Sequence, residues 1–321
     1  MSRVALLPTL LLLGAVAGLA GEVSDDSDLR ARIAVLEHEQ REATTRRGAK
    51  LFARSCAACH GRLGQGDGPG ADDLEPRPRD LTSADYRFRT TESGNTPRAA
   101  DLRRTIRRGL PGSSMPGFGD LFSADELEEL ITFVQSLHDR ELTDPVVIGE
   151  LPAATAESVA EGRSLYLLMG CWTCHAQNGS GRGPSAPMLT DSDGRRIRTT
   201  DFRHDPFKGG RQTEDIVRTL ITGLNGAPMP SYADVVLFAR EDFPDVSAFE
   251  DRLPTGEIER LAAYVAAIAG RAELDALAES DRASLRDQRL AALAHYVLSL
   301  DRRRTLGSRL FRQEPEREAR P

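Results

Sequence analysis

Two pentapeptides decide how this chain is read: Cys56-Ala57-Ala58-Cys59-His60 and Cys171-Trp172-Thr173-Cys174-His175. Between them they use every cysteine in the 321 residues. Cysteines three positions apart lie on one side of a helical turn, so both sulfurs can bond one planar group while the next histidine reaches its centre. Taken singly, either pentapeptide also fits a redox dithiol or half of a zinc site. Taken as a pair with no cysteine left over, they match the Cys-x-x-Cys-His signature of covalent haem attachment. They predict two haem c groups, on Cys56 and Cys59 and on Cys171 and Cys174, with His60 and His175 as iron ligands.

The amino-terminal residues bear on the compartment. Arg3 precedes an apolar stretch, residues 4–20, which ends in the small residues Gly18-Leu19-Ala20 ahead of an acidic segment. This is the pattern of a signal peptide over residues 1–20. Pro8, Gly14 and Gly18 interrupt the stretch, which is at the short edge of a membrane span; a retained anchor is the alternative. Both readings export the bulk of the chain to the periplasm. Cysteine pairs in an exported protein ordinarily read as disulfides, and the histidine after each pair is what turns the reading to haem.

The chain also repeats itself. The pentapeptides are offset by 115 positions, and further along the offset is 114: residues 104–116 read RTIRRGLPGSSMP and residues 218–230 read RTLITGLNGAPMP. Such self-similarity marks two copies of one plan. It nominates Met115, 55 residues after His60, and Met229, 54 after His175, as the second iron ligands. A thioether is a soft donor, and His/Met ligation raises the reduction potential of haem iron. A lone methionine usually fills a core, but a filler has no reason to recur in register on a Gly- and Pro-rich loop. Met169 and Met188 have no counterpart in the first half and read as packing. His38, His138, His204 and His295 are likewise unrepeated and read as surface or helix-face residues.

Composition agrees with bound cofactors. With Phe 11, Tyr 5 and Trp 1, two domains of ordinary size would have thin cores unless something else fills them. Net charge is −7, and no long block of basic residues is present, which argues against nucleic acid as a partner because phosphate attraction needs clustered cations.

At these residues the sequence resembles the class I cytochromes c, in the two-domain dihaem arrangement of cytochrome c4, over roughly residues 43–140 and 158–270. The resemblance implies an all-α fold of two tandem domains, each a few helices wrapped around a covalent haem. In that family an amino-terminal helix crosses a carboxy-terminal one through a glycine and aromatic contact. Here Gly48 and Phe52 would meet Leu130 and Phe133, and Gly162 and Tyr166 would meet Leu261 and Tyr264 in a helix over residues 258–268. A further helical pattern over 285–300 ends in Tyr296-Val297-Leu298-Ser299-Leu300, which leaves open which helix closes the second domain. Pro69 and Pro184, each nine positions after its histidine, either offer a carbonyl to the histidine ring, as the resemblance implies, or simply mark turns. Arg89 and Lys208 are candidate cations for the haem propionates.

The expected organisation is therefore a helical extension at 21–42, domain 1 at 43–140, a linker at 141–157, domain 2 at 158–300 with an acidic insertion at 235–254 and an extra carboxy-terminal helix, and a tail at 301–321. The expected role is that of an electron carrier between periplasmic or membrane-bound redox proteins. The alternatives are a dihaem enzyme of peroxidase-like or thiosulfate-oxidising type, and a membrane-anchored cytochrome subunit of a respiratory complex.

Overall fold

A computed structural model describes residues 26–83, 85–243 and 245–303. Residues 1–20, read as a leader or anchor, and nearly all of the tail at 301–321 lie outside the described residues. Among those described, the regular structure is helical, with two isolated β-bridges. No described helix is long and apolar enough to cross a membrane.

The first half is built on α1 (Asp26–Ser55), followed at once by the one-turn α2 (Ala57–His60), then α3 (Ala99–Arg108) and α4 (Ala124–Gln135). The extension and the first haem-site helix are one continuous helix; its amino half projects Leu29, Ile33 and Leu36 to solvent. Its carboxy half carries the core. A β-carbon on Gly48 would lie 1.9 Å from the Glu129 carbonyl oxygen, so only glycine lets α1 cross α4 this closely. One turn on, Phe52 meets Phe133 with ring centroids 5.1 Å apart, and Leu130 is fully buried beneath them. A reciprocal cap starts α4: Ser123 Oγ accepts from the Glu126 amide, and the Glu126 carboxylate accepts from the Ser123 amide.

The second half repeats this plan with α5 (Ala156–Leu168), α6 (Trp172–His175) and α7 (Thr213–Thr222), then adds α8 (Thr255–Ala267) and α9 (Arg271–Asp275) before α10 (Glu279–Ser299). The helix that crosses α5 is α10. A β-carbon on Gly162 would stand 1.9 Å from the Ala292 carbonyl oxygen, and Tyr166 meets Tyr296 at 5.2 Å, with Leu293 where the first half has Leu130. This corrects the expected partners Leu261 and Tyr264. Those residues belong to α8, which packs on the outside of α5, so α8 is the added helix and α10 the closing one. Leu261 is buried there, and the Tyr264 hydroxyl donates to Glu161 across 3.2 Å.

The acidic insertion is packed into the second half. Val236, Phe238, Ala239 and Leu253 are buried. Arg289 of α10, itself buried, donates to the carbonyls of Val236 (2.7 Å) and Phe238 (3.0 Å) and lies over the Phe238 ring. The linker is strapped to both halves: the Val146 amide donates to the Thr90 carbonyl (2.7 Å), and Asp287 of α10 accepts from the Gly149 amide (2.7 Å).

Candidate haem sites

Each pentapeptide folds as a single helical turn begun by its first cysteine, with the histidine amide donating to that cysteine's carbonyl at 2.9 Å in both halves. The Gly-rich segment after each histidine then wraps that turn. A β-carbon on Gly68 would meet the Ala58 carbonyl at 2.5 Å, and one on Gly183 the Thr173 carbonyl at 2.2 Å. Gly66 and Gly181 sit at positive φ (72° and 68°) and press against the backbone of Pro78 and Thr199, where a β-carbon would lie 2.6 Å from either carbonyl oxygen. These contacts seat the segments that supply the histidine partners.

Those partners are not the prolines. His60 Nδ1 pairs with the Arg79 carbonyl at 3.0 Å and His175 Nδ1 with the Thr200 carbonyl at 3.2 Å. Pro69 and Pro184 lie in the wrapping turns, so of their two readings the turn holds and the carbonyl role implied by the resemblance does not. In both halves the outward nitrogen is engaged by a carbonyl, which fixes the ring and leaves Nε2 as the nitrogen free for a metal. Burial lowers the pKa of His60 and takes that of His175 down to about 4, so both imidazoles are neutral near pH 7, the form that binds metal. Burial also pushes the Cys56 thiol up to about 11 and the Cys171 thiol up to about 12. A redox dithiol needs the opposite shift in its attacking cysteine, so the raised Cys56 and Cys171 thiols favour attachment points over exchange chemistry.

All eight predicted site residues line one cavity of about 590 Å³ that runs between the two halves: Cys56, Cys59, His60 and Met115 from the first, Cys171, Cys174, His175 and Met229 from the second. Its apolar wall includes Phe52, Leu130, Phe202, Phe207 and Leu293. Four cations also reach it, Arg79 and Arg87 from the first half and Arg198 and Lys208 from the second. Arg87 Nε is buried there without a hydrogen-bond partner, and burial, helped by nearby Arg79, lowers this guanidinium to about 10. Apolar walls with an orphaned cationic donor fit a flat apolar group that carries carboxylates, as haem does. Arg79, Arg87 and Arg198 were not picked out from the sequence, where arginines are too common to signal anything.

Of the two cations that were, Lys208 reaches the cavity and Arg89 does not. Arg89 is buried and spends its guanidinium on backbone carbonyls across the interface. The remaining candidates separate cleanly. Met188 is exposed, which corrects the packing role expected of it, and Met169 packs at the edge of the core. His295 is buried on α10, paired with Ser158 Oγ at 2.9 Å, while His204 pairs with Asp201 at the surface.

The fold and the sites define an all-helical, covalent haem protein with two haem c groups. The description "Cytochrome C oxidase, cbb3-type, subunit III" matches residues 43–134, and "Cytochrome c" matches residues 159–269. The chain belongs to the class I c-type cytochromes, with two cytochrome c domains in tandem. It is 29% identical over 159 residues to the Cbb3-type cytochrome c oxidase subunit CcoP of Azospirillum sp. (strain B510), a match that takes in 46% of each protein; the chain thus spans about half the length of that curated relative. Among solved structures it is similar to a chain of the Kuenenia stuttgartiensis reducing HAO-like protein complex Kustc0457/Kustc0458, at 30% identity and a TM-score of 0.60, over 79% of this chain and 96% of that one. The second family match ends at residue 269, short of α10, the helix that closes the domain.

Proposed function

We propose that this protein is an exported electron carrier that passes electrons between redox proteins through two His/Met-ligated haems, and that it does so docked to a respiratory assembly. The observation that carries the reading is the single cavity into which both Cys-x-x-Cys-His turns and both Met-Pro loops open. Bound haem supplies one-electron chemistry between ferrous and ferric iron. The residues that would hold the two irons are His60 with Met115 and His175 with Met229; the apolar walls would exclude water, and Arg79, Arg87, Arg198 and Lys208 would face the haem carboxylates. An iron held by both a histidine and a methionine of the chain would leave no position for a substrate, which favours transfer over a peroxidase-like or thiosulfate-oxidising reaction. Docking to an assembly is supported by the two relatives, one an oxidase subunit and the other part of a complex.

Met115→Ala and Met229→Ala, made separately, test the ligand sets. Each should remove about half of the Met-to-iron charge-transfer absorbance, because each of two like haems contributes equally. A variant with an unchanged band would show that its methionine is not a ligand and reopen the enzyme reading for that haem.

A further inference from the structure

The two Met loops are built alike in sequence but held differently, and the difference lies where the domains meet. Aligned position by position, Arg108 and Pro111 of the first loop correspond to Thr222 and Asn225 of the second. Arg108 and Pro111 are exposed, whereas Thr222 and Asn225 are buried. What buries them is domain 1.

Arg89 reaches out of domain 1 to the last turn of α7, where Nη2 donates to the Thr222 carbonyl at 2.6 Å and Nη1 to the Gly223 carbonyl at 3.4 Å. Its other bonds, Nη1 to the Tyr86 carbonyl and Nε to the Glu92 carbonyl, anchor it in its own domain. A cation at the carboxy terminus of a helix meets carbonyls with no partner inside the helix, at the negative end of its dipole. Three residues along, Asn225 uses both ends of its amide on domain 1: Oδ1 accepts from the Gly94 amide (2.9 Å) and Nδ2 donates to the Asn95 carbonyl (3.1 Å). The Arg79 guanidinium completes the contact, lying so close to Gly226 that a β-carbon there would be 3.0 Å from Nη1. The segment gripped this way leads directly to Met229, since the Leu224 amide donates to the Met229 carbonyl at 2.9 Å and closes the loop.

We infer that domain 1 clamps the Met229 loop, and that Arg89 and Asn225 are positioning residues that hold Met229 against the second iron, so that the potential of the second haem depends on the docking of the first domain. This rests on the reading of Met229 as a ligand. It also accounts for the sequence departure from the repeat: a proline at 225 could not make either amide bond, and an arginine at 222 could not be buried under Arg89.

The test uses the full dihaem protein and imidazole, which competes with methionine for ferric iron. Arg89→Ala and Asn225→Ala should each raise imidazole affinity about tenfold, the factor expected for loss of a charge-assisted or doubly made hydrogen bond. The effect should fall at one haem only, the one whose charge-transfer band Met229→Ala abolishes, and that haem's potential should fall while the other's stays. Arg89→Lys, a single point donor in place of a fork, should be intermediate. Arg286→Ala is the control: it frees the linker carbonyl of Val147 without touching the loop, and should change neither haem. Unchanged affinity and potential in both Arg89→Ala and Asn225→Ala would overturn the clamp, as would an equal effect from Arg286→Ala. If Arg89→Ala fails to assemble, Asn225→Ala decides alone. An unchanged band in Met229→Ala would instead fault the ligand reading.

Discussion

Gly162 and Ala292 approach backbone to backbone, close enough that a β-carbon on Gly162 would overlap the Ala292 carbonyl oxygen at 1.9 Å and crowd Tyr296 Cβ at 2.8 Å. The obstruction is backbone, which cannot swing aside as a side chain can. Gly162→Ala should therefore force α5 and α10 apart and destabilise the haem-loaded protein by about 3 kcal/mol, the upper end of the overpacking range. Gly48→Ala should cost domain 1 a similar amount, because its β-carbon would meet the Glu129 carbonyl at the same distance. Denaturant unfolding followed at the haem absorbance would show the loss; a change below about 0.5 kcal/mol, the level of a neutral surface substitution, would mean that the helices do not cross there.

Tyr296 and Tyr264 should separate when each is replaced by alanine. Tyr296 is buried against Tyr166, accepts from Arg163 at 2.9 Å and donates to the Gln177 carbonyl at 3.2 Å. Tyr264 is half-buried on the outer helix α8, with one hydrogen bond to Glu161. Removing a buried aromatic costs about 3 to 5 kcal/mol, and removing one with an open side and a single partner about 1 to 2 kcal/mol. Parallel unfolding curves would measure both. Equal costs, or a larger one for Tyr264, would return the closing role to α8.

The pattern of what could be read from sequence follows from what recurs. The attachment turns, the Met loops and the Gly48/Phe52 and Gly162/Tyr166 pairs were legible because a second copy lies in register. The closing helix of domain 2 was ambiguous because α8 and α9 fall between the Met loop and α10, so a helix of the right period stands where the repeat leads one to look. The better signal was local: Phe133-Val134-Gln135-Ser136-Leu137 returns as Tyr296-Val297-Leu298-Ser299-Leu300, and Leu137 and Leu300 lie against Gly64 and Gly179 at the same 2.7 Å from a built β-carbon. The acceptors for His60 and His175 were illegible because they are main-chain carbonyls of Arg79 and Thr200, a role any residue can fill. Arg89 was misjudged because the domain interface, which has no period, decides where its charge goes.

Asp301 gives a pH dependence with a defined sign. Its fully buried carboxylate is held by Arg303 through Nε and Nη2, both at 2.8 Å, and by Arg211 at 3.2 Å. The Arg303 hydrogen bonds, followed by the charges around them, hold its pKa below the ordinary value of about 4. A carboxylate depressed in the folded state contributes stability that is present above the unfolded pKa and lost as pH falls through the folded one. Asp301→Asn should thus lower stability by about 1 kcal/mol near pH 6, a modest figure because both arginines are partly exposed to screening. The gap should narrow as the pH falls below the ordinary carboxylate range. Thermal unfolding of the two proteins from pH 7 to pH 2 measures it; a gap that widens in acid would contradict the assignment.

Haem should be as much a structural element as a functional one. The shared cavity of about 590 Å³ is walled largely by core side chains of both domains. Without haem this largely apolar lining would face water, and the stabilisation from burying it would be lost to both domains. The walls cannot simply close on the cavity, because the cysteine turns and Met loops that line opposite sides are pinned by their own backbone hydrogen bonds. A quadruple Cys→Ala variant at positions 56, 59, 171 and 174, made without haem, should therefore show weak helicity and no cooperative thermal transition by circular dichroism. Replacing only Cys171 and Cys174 should leave the first domain loaded but lose the buried contacts of Arg89 and Asn225, because the loop they hold belongs to the unloaded domain. A sharp transition with full helicity in the quadruple variant would show that side chains alone sustain the fold.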